Sequence, residues 1–175
     1  AKFMKAYALG VLVDNFGDVP YTEANLGLEQ SSPKVDPGAS VYAAALALYD
    51  DAIADFAKTS AAPTADLFYG GDKAKWTAAA KTMKFKMLMQ TRKVDATAAA
   101  KIQALVTAGG LITTAAGDFN FQYSTNRTSP DSRHPDYAGN YNTSGSVGEY
   151  MADYFMWAIA SEKLGSPCAA NGFEG

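Results

Sequence analysis

Cysteine is nearly missing from this sequence of 175 residues: Cys168 stands alone, which excludes an intramolecular disulfide and any cysteine cluster with metal-ligand spacing. It lies in "GSPCAAN", beside a proline and outside any apolar run, and reads as a bystander. Histidine is as scarce, with His134 the only one, and no metal site or cofactor is expected. Charge is sparse too. Charged residues make up 19%, and 15 Lys+Arg against 18 Asp+Glu give a net charge of -3, so there is no electrostatic footprint for nucleic acid. No apolar run reaches the roughly 18 residues of a membrane span, and no charged leader with a cleavage site opens the chain. The chain as it stands is expected to be soluble. It opens inside a helical pattern, however, and reads as part of a longer parent.

What is plentiful is apolar and aromatic: 48% hydrophobic residues, with ten Tyr, nine Phe and two Trp. Such a length suits a single domain over 1–175 that buries about two thirds of its unfolded surface. The tyrosines each offer an apolar face and a polar tip, which suits a core or a hydroxyl-rich ligand.

Helical spacing dominates. Phe3, Ala6, Tyr7, Gly10 and Val13 share a face of a helix over 2–13 that stops before Gly17 and Pro20. Within "LVDNFGDVPYTEA", Gly17 and Asp18 turn the chain, Pro20 restricts Val19 and forbids helix, and Tyr21 follows. A long loop is expected at about 20–39. Ser40 is the candidate N-cap of a second helix to Lys58, with Tyr42, Ala45, Leu46, Tyr49, Ile53 and Phe56 inward. Asp72 caps a third helix, Lys73 to about Lys93, whose stripe is Trp76, Ala80, Met83, Met87 and Leu88; its many lysines read as a solvated face. Asp95 caps a fourth, with Ala98, Ile102, Leu105 and Val106 inward and Gly109 and Gly110 as a left-handed stop. Phe119, Phe121 and Tyr123 alternate with polar residues and suggest one short strand in an otherwise irregular stretch over 117–146. A last helix is expected over about 147–164.

"YDDAIADFAK", Tyr49 to Lys58, has the aromatic and alanine spacing of the second helix of a tetratricopeptide unit. The helices at 2–13 and 40–58 then make one hairpin and those at 73–93 and 95–109 the next. The fold class expected is mainly α: tetratricopeptide-like hairpins with long irregular loops and little or no β.

Little here suggests catalysis. His134 has Ser129, Asp131, Ser132 and Asp136 as neighbours in a proline-flanked loop, but sequence neighbours rarely form a triad and no nucleophile elbow exists. Asp14, Asp18 and Glu23 offer carboxylates for glycoside hydrolysis, yet acids beside a helix end ordinarily bond the turn's own backbone. Phosphate-binding loops and dinucleotide fingerprints are absent, and "YGGDKAKW" has the wrong glycine spacing. The chain is expected not to be an enzyme.

The 117–146 stretch sets Tyr123, Tyr137 and Tyr141 among Asn126, Arg127, Arg133, Asp136 and Asn140. Sugars are recognised by this mixture, an aromatic face covering ring C–H groups while planar polar side chains fork onto hydroxyls. These eight are the candidate ligand-binding residues. The alternative is that the tyrosines pin the loop onto the helices.

"KAYALGVLVDNFGDVPYTEA" resembles the signature of the SusD/RagB family of outer-membrane nutrient-binding lipoproteins, in which an apolar helix runs into a Gly-Asp-Val-Pro turn. "DLFYGGDKAKWTAAAKTMKFKMLMQTRKVD" resembles that family's turn into a Trp-bearing helix, and "SRHPDYAGNY" its downstream loop. The resemblance implies a tetratricopeptide-like scaffold, surface-exposed on the outer membrane of Bacteroidetes-type cells, that captures oligosaccharide for import by a SusC-type TonB-dependent transporter. Such proteins bind without catalysing, and are held to the membrane by a lipidated cysteine that this sequence does not contain. The alternative implied is a helical scaffold that chiefly docks to the transporter or binds peptides. Gly17, Asp18, Pro20 and Tyr21 then mark a family corner, its acids fixing the turn.

Overall fold

The computed structural model describes residues 1–24, 26–61, 66–121, 123–126, 133–140 (backbone only at 138–140) and 155. The chain forms two compact units, Ala1–Phe121 and Gln122–Gly175. The first holds α1 (Lys2–Phe16), α2 (Gly38–Phe56), α3 (Lys73–Thr91) and α4 (Ala98–Ala108); the second holds α5 (Pro135–Asn140). Helices α1 to α4 pack consecutively, each on the next, as the stacked hairpins predicted from the sequence require. Among the described residues there is no strand, only an isolated antiparallel bridge between Val19 and Asp36. None of the described helices is long and apolar enough to cross a membrane.

Local chemistry sets several helix ends. Helix α1 stops at Gly17, whose φ of 74° suits glycine and whose N–H donates to Val13 O at 2.9 Å. Asp72 caps α3, accepting from Ala74 N at 2.9 Å and Lys75 N at 3.1 Å. Asp95 closes the turn into α4 by accepting from Thr97 N at 2.8 Å, and Gly109 at φ 65° ends that helix.

Four expectations need correction. Ser40 is not the cap of α2. That helix begins at Gly38, Ser40 Oγ donates to Pro37 O at 2.7 Å, and Asp18 Oδ1 accepts the Gly38 N–H at 2.7 Å from twenty residues upstream. Val106 does not face inward but is half exposed, because α4 packs chiefly on α3. No strand forms at Phe119 and Phe121, since the aromatic core takes up their rings. The 117–146 stretch is not all loop, for it contains α5, and a turn of 3-10 helix at Ala115–Gly117 runs into its first residue. The helix expected over 147–164 lies outside the described residues, apart from Phe155, which is helical.

The core is aromatic at one end and small at the contacts. Phe3 is 2% exposed and meets Tyr49, Trp76 and Phe119 edge to face, with centroids 5.5, 4.9 and 5.1 Å away. Trp76 needs a partner for its indole N–H and finds Asp66 Oδ2 at 2.6 Å. The same carboxylate accepts the N–H groups of Phe68, Tyr69 and Gly71, so one side chain shapes the "DLFYGG" turn and anchors the ring. Ala6, Ala45, Ala79 and Ala80 are fully buried and let the helix backbones approach closely.

Across the 20–39 loop, order comes from carboxylates. Asp36 Oδ2 accepts from Tyr21 N at 2.9 Å and Thr22 N at 2.8 Å, and Asp36 Oδ1 from the Thr22 hydroxyl at 2.9 Å. Glu23 Oε2 accepts from Gln30 Nε2 and Lys34 N, both at 2.9 Å, around a 3-10 turn at Gly27–Gln30. The Thr22 N–H foremost, with Tyr21 N–H and the Thr22 hydroxyl, holds the Asp36 carboxyl below its ordinary 3.8 despite burial. A carboxyl lowered in the folded state contributes stability that is present above its unfolded value and lost as pH falls through the folded one. Asp36→Asn is therefore expected to show a shallower loss of stability between pH 5 and about pH 3 than the wild type, read by urea unfolding at stepped pH; equal slopes would remove Asp36 from this role.

Candidate functional site

The acids of the corner are occupied in holding it together. Asp18 caps α2, Glu23 ties the following loop, and Asp14 Oδ1 accepts from the Tyr42 hydroxyl at 3.1 Å. Gly17 supplies the left-handed turn, Val19 before Pro20 pairs with Asp36, and the Tyr21 ring lies 5.2 Å beneath Lys5 Nζ. Among the described residues no group of His, Cys, Asp and Glu can hold a metal ion.

A cleft of about 430 Å³ in the second unit is lined by Tyr123, Ser124, Thr125, Arg133, His134 and Tyr137. Local sequence chemistry builds both of its walls. On one, the Ser124 hydroxyl accepts the Asn126 N–H at 3.0 Å, a serine turn that holds the chain bent after Tyr123. On the other, "HPDYAGN" starts α5: proline occupies the first helical position, where its missing N–H costs nothing, and Asp136 lies in the first turn, where a negative charge suits the helix dipole. His134 Nδ1 accepts the Asp136 N–H at 3.2 Å and lies 3.7 Å from Asp136 Oδ2. The imidazole meets the Tyr123 ring edge to face, 4.7 Å between centroids. Tyr123 and Tyr137 are each 49% exposed, so both rings keep accessible surface.

Of the residues singled out from the sequence, Tyr123, Arg133 and Tyr137 come together in this cleft. Asn126 contributes to the turn beside it, and the Asp136 side chain is 84% exposed. Arg127 and Tyr141 lie outside the described residues, and Asn140 is placed only as the last residue of α5. Sequence reasoning missed Ser124, Thr125 and His134 as lining residues. For His134 a signal was available in the His-Pro-Asp order, which is a helix start.

A second cavity, of about 440 Å³, lies in the first unit between Phe3, Met4, Phe56 and Trp76, with Asp55, Asp66 and Lys73 at its edges. Its rings are engaged with each other. Phe56 stacks on Trp76 at 6.1 Å, and the indole N–H is bound by Asp66. The mixture of half-exposed aromatic faces, hydroxyls and a guanidinium is found in the cleft of the second unit instead. Such a set can cover an apolar ring face and bond the polar groups at its rim.

Among curated proteins nothing matches the chain. Solved structures do. A SusD/RagB family protein from Bacteroides thetaiotaomicron is 28% identical with a TM-score of 0.62, covering 81% of this chain and 28% of its own. A SusD homologue from Bacteroides fragilis is 26% identical with a TM-score of 0.62, covering 71% and 28% respectively. An outer-membrane protein of Bacteroides vulgatus, linked to nutrient binding, shares the fold at TM-score 0.69 and 22% identity, over 83% of this chain and 32% of that one. The chain thus spans about a third or less of the length of the structures it matches. Residues 1–156 match the family model SusD-like_2, described as starch-binding and associating with the outer membrane, and the chain belongs to that family.

Proposed function

We propose that the chain is part of a cell-surface protein that captures oligosaccharide at the outer membrane and passes it to a SusC-type TonB-dependent transporter, binding without catalysis. The observation that carries the reading is the cleft, where Tyr123, Tyr137 and Arg133 converge beside hydroxyl groups, in a chain of a starch-binding family. Half-exposed tyrosines offer ring faces to sugar C–H groups, while guanidinium N–H groups fork onto adjacent hydroxyls. The corner acids are committed to structure, which leaves them unsuited to act as an acid and base pair. Single sugar contacts are weak, so dissociation constants between micromolar and millimolar are expected, about 4 to 8 kcal/mol.

Calorimetric titration with maltoheptaose and a panel of other oligosaccharides tests this. Tyr123→Ala and Tyr137→Ala are each expected to weaken binding by about 1 kcal/mol, roughly fivefold. Unchanged affinity in both variants would remove the cleft as the site.

One observation favours the docking alternative. Met4, Val11, Leu12 and Phe16 leave α1 with exposed apolar side chains besides those it buries in the core, and apolar surface on a helix is ordinarily turned toward a partner. The paired change Val11→Asp and Leu12→Asp separates the readings: lost transporter binding with intact sugar binding assigns docking to α1 and capture to the cleft.

A further inference from the structure

We propose that His134 is a ligand-binding residue of the cleft, donating a hydrogen bond from Nε2 to an oxygen of the bound oligosaccharide; this rests on the glycan-binding reading above. The start of α5 sets the protonation of the ring. Pro135 has no N–H, so the first helix donor that needs a partner is Asp136 N, and it is met by His134 Nδ1 at 3.2 Å. An Nδ1 that accepts is unprotonated, so the proton of the neutral ring is on Nε2. The helix start thus selects the tautomer.

Tyr123 then holds the ring from a second side, edge to face at 4.7 Å. Nothing among the described residues bonds Nε2, and the side chain is half exposed where it lines the cleft. The donor is oriented before any ligand arrives, which lowers the ordering cost of binding. A pure cap would not call for imidazole. Asn, Asp, Ser and Thr are the ordinary caps, and histidine adds to that role only a second nitrogen, here on the side away from the helix. Sugar hydroxyl and ring oxygens accept, and Arg133 and His134 give the cleft two donors of fixed geometry.

Two amide substitutions separate capping from ligand binding. In His134→Asn the short amide oxygen can still cap α5, but nothing reaches the position of Nε2. In His134→Gln the longer amide nitrogen reaches that position, while the cap is poor. Maltoheptaose is the probe, with the wider oligosaccharide panel if it does not bind, and circular dichroism melting monitors the fold. The expected result is that His134→Asn melts like the wild type yet binds about tenfold more weakly, whereas His134→Gln binds within about threefold of wild type. If His134→Asn binds as the wild type does, His134 is only a cap and the proposal falls, with the glycan reading intact. A wild-type chain that binds no oligosaccharide overturns both. A third measurement needs no ligand. His134 is the only histidine, so a long-range proton–nitrogen NMR correlation at pH 8 reports its tautomer unambiguously; a proton on Nδ1 would overturn the proposal.

Discussion

Phe3→Ala is expected to destabilise the first unit by about 4 kcal/mol, in the range for removing a buried phenylalanine ring from a packed core. The ring is 2% exposed and is the common neighbour of Tyr49, Trp76 and Phe119. Truncation therefore loses the transfer free energy of the ring and three edge-to-face contacts, and leaves a cavity. That cavity would adjoin the space already present beside Phe56 and Trp76, which limits how far the neighbours can collapse into it. Domain stabilities of about 5–15 kcal/mol make a loss of this size a large share of the total. Urea unfolding followed by tryptophan fluorescence measures it, with Phe16→Ala as the control. Phe16 is 74% exposed, and its truncation should fall within about 0.5 kcal/mol of wild type. A cost below about 1 kcal/mol at Phe3 would mean that the aromatic cluster is not the core of the unit.

Gly38→Ala is the second large effect, and it acts by crowding. A Cβ at position 38 would stand 2.7 Å from Gly17 O and 3.2 Å from a Val13 methyl. The nearer atom is backbone at a helix end, so it cannot swing aside. The cost expected is about 2–3 kcal/mol, the upper part of the range for an overpacked site, because relief requires α1 and α2 to separate where Asp18 joins them. Gly10→Ala makes the contrasting case. Its Cβ would meet only the flexible end of Met87 at 3.5 Å, and alanine in the middle of α1 is favoured over glycine by roughly 0.5–1 kcal/mol. The two substitutions are thus expected to move the urea midpoint in opposite directions. If both destabilise alike, helix propensity rather than the contact with Gly17 has been misjudged.

Local and long-range interactions share the work of building the corner. Gly17 and Pro20 announce a helix stop in one dimension, because backbone conformation is a local property. Asp36 announces nothing, since its partners Tyr21 and Thr22 are fifteen and fourteen residues away. Ser40 fails as a cap for the complementary reason: an acceptor brought from Asp18 reaches Gly38 first, and helix α2 starts three residues earlier than a cap at Ser40 would place it, with Pro37 in the cap position. In the second unit, the Tyr and Arg composition singled out the stretch that lines the cleft. It could not say that His134 would stand against Tyr123, because ring packing depends on the turn at Ser124 and the start of α5 together.

Sequence alone therefore determined the helical class, the succession of the four hairpin helices, the stops at Gly17 and Gly109 and the cap at Asp72. All of these follow from interactions within about one helical turn, where spacing along the chain is also spacing in space. Tertiary structure alone decided which carboxylates became fastenings: Asp18 to Gly38, Asp36 to Tyr21 and Thr22, Asp66 to Trp76. It also decided which rings became core and which kept an exposed face. A sequence lists donors, acceptors and rings, but their pairing across long separations is set by how the helices pack, and burial then makes each unmet partner costly.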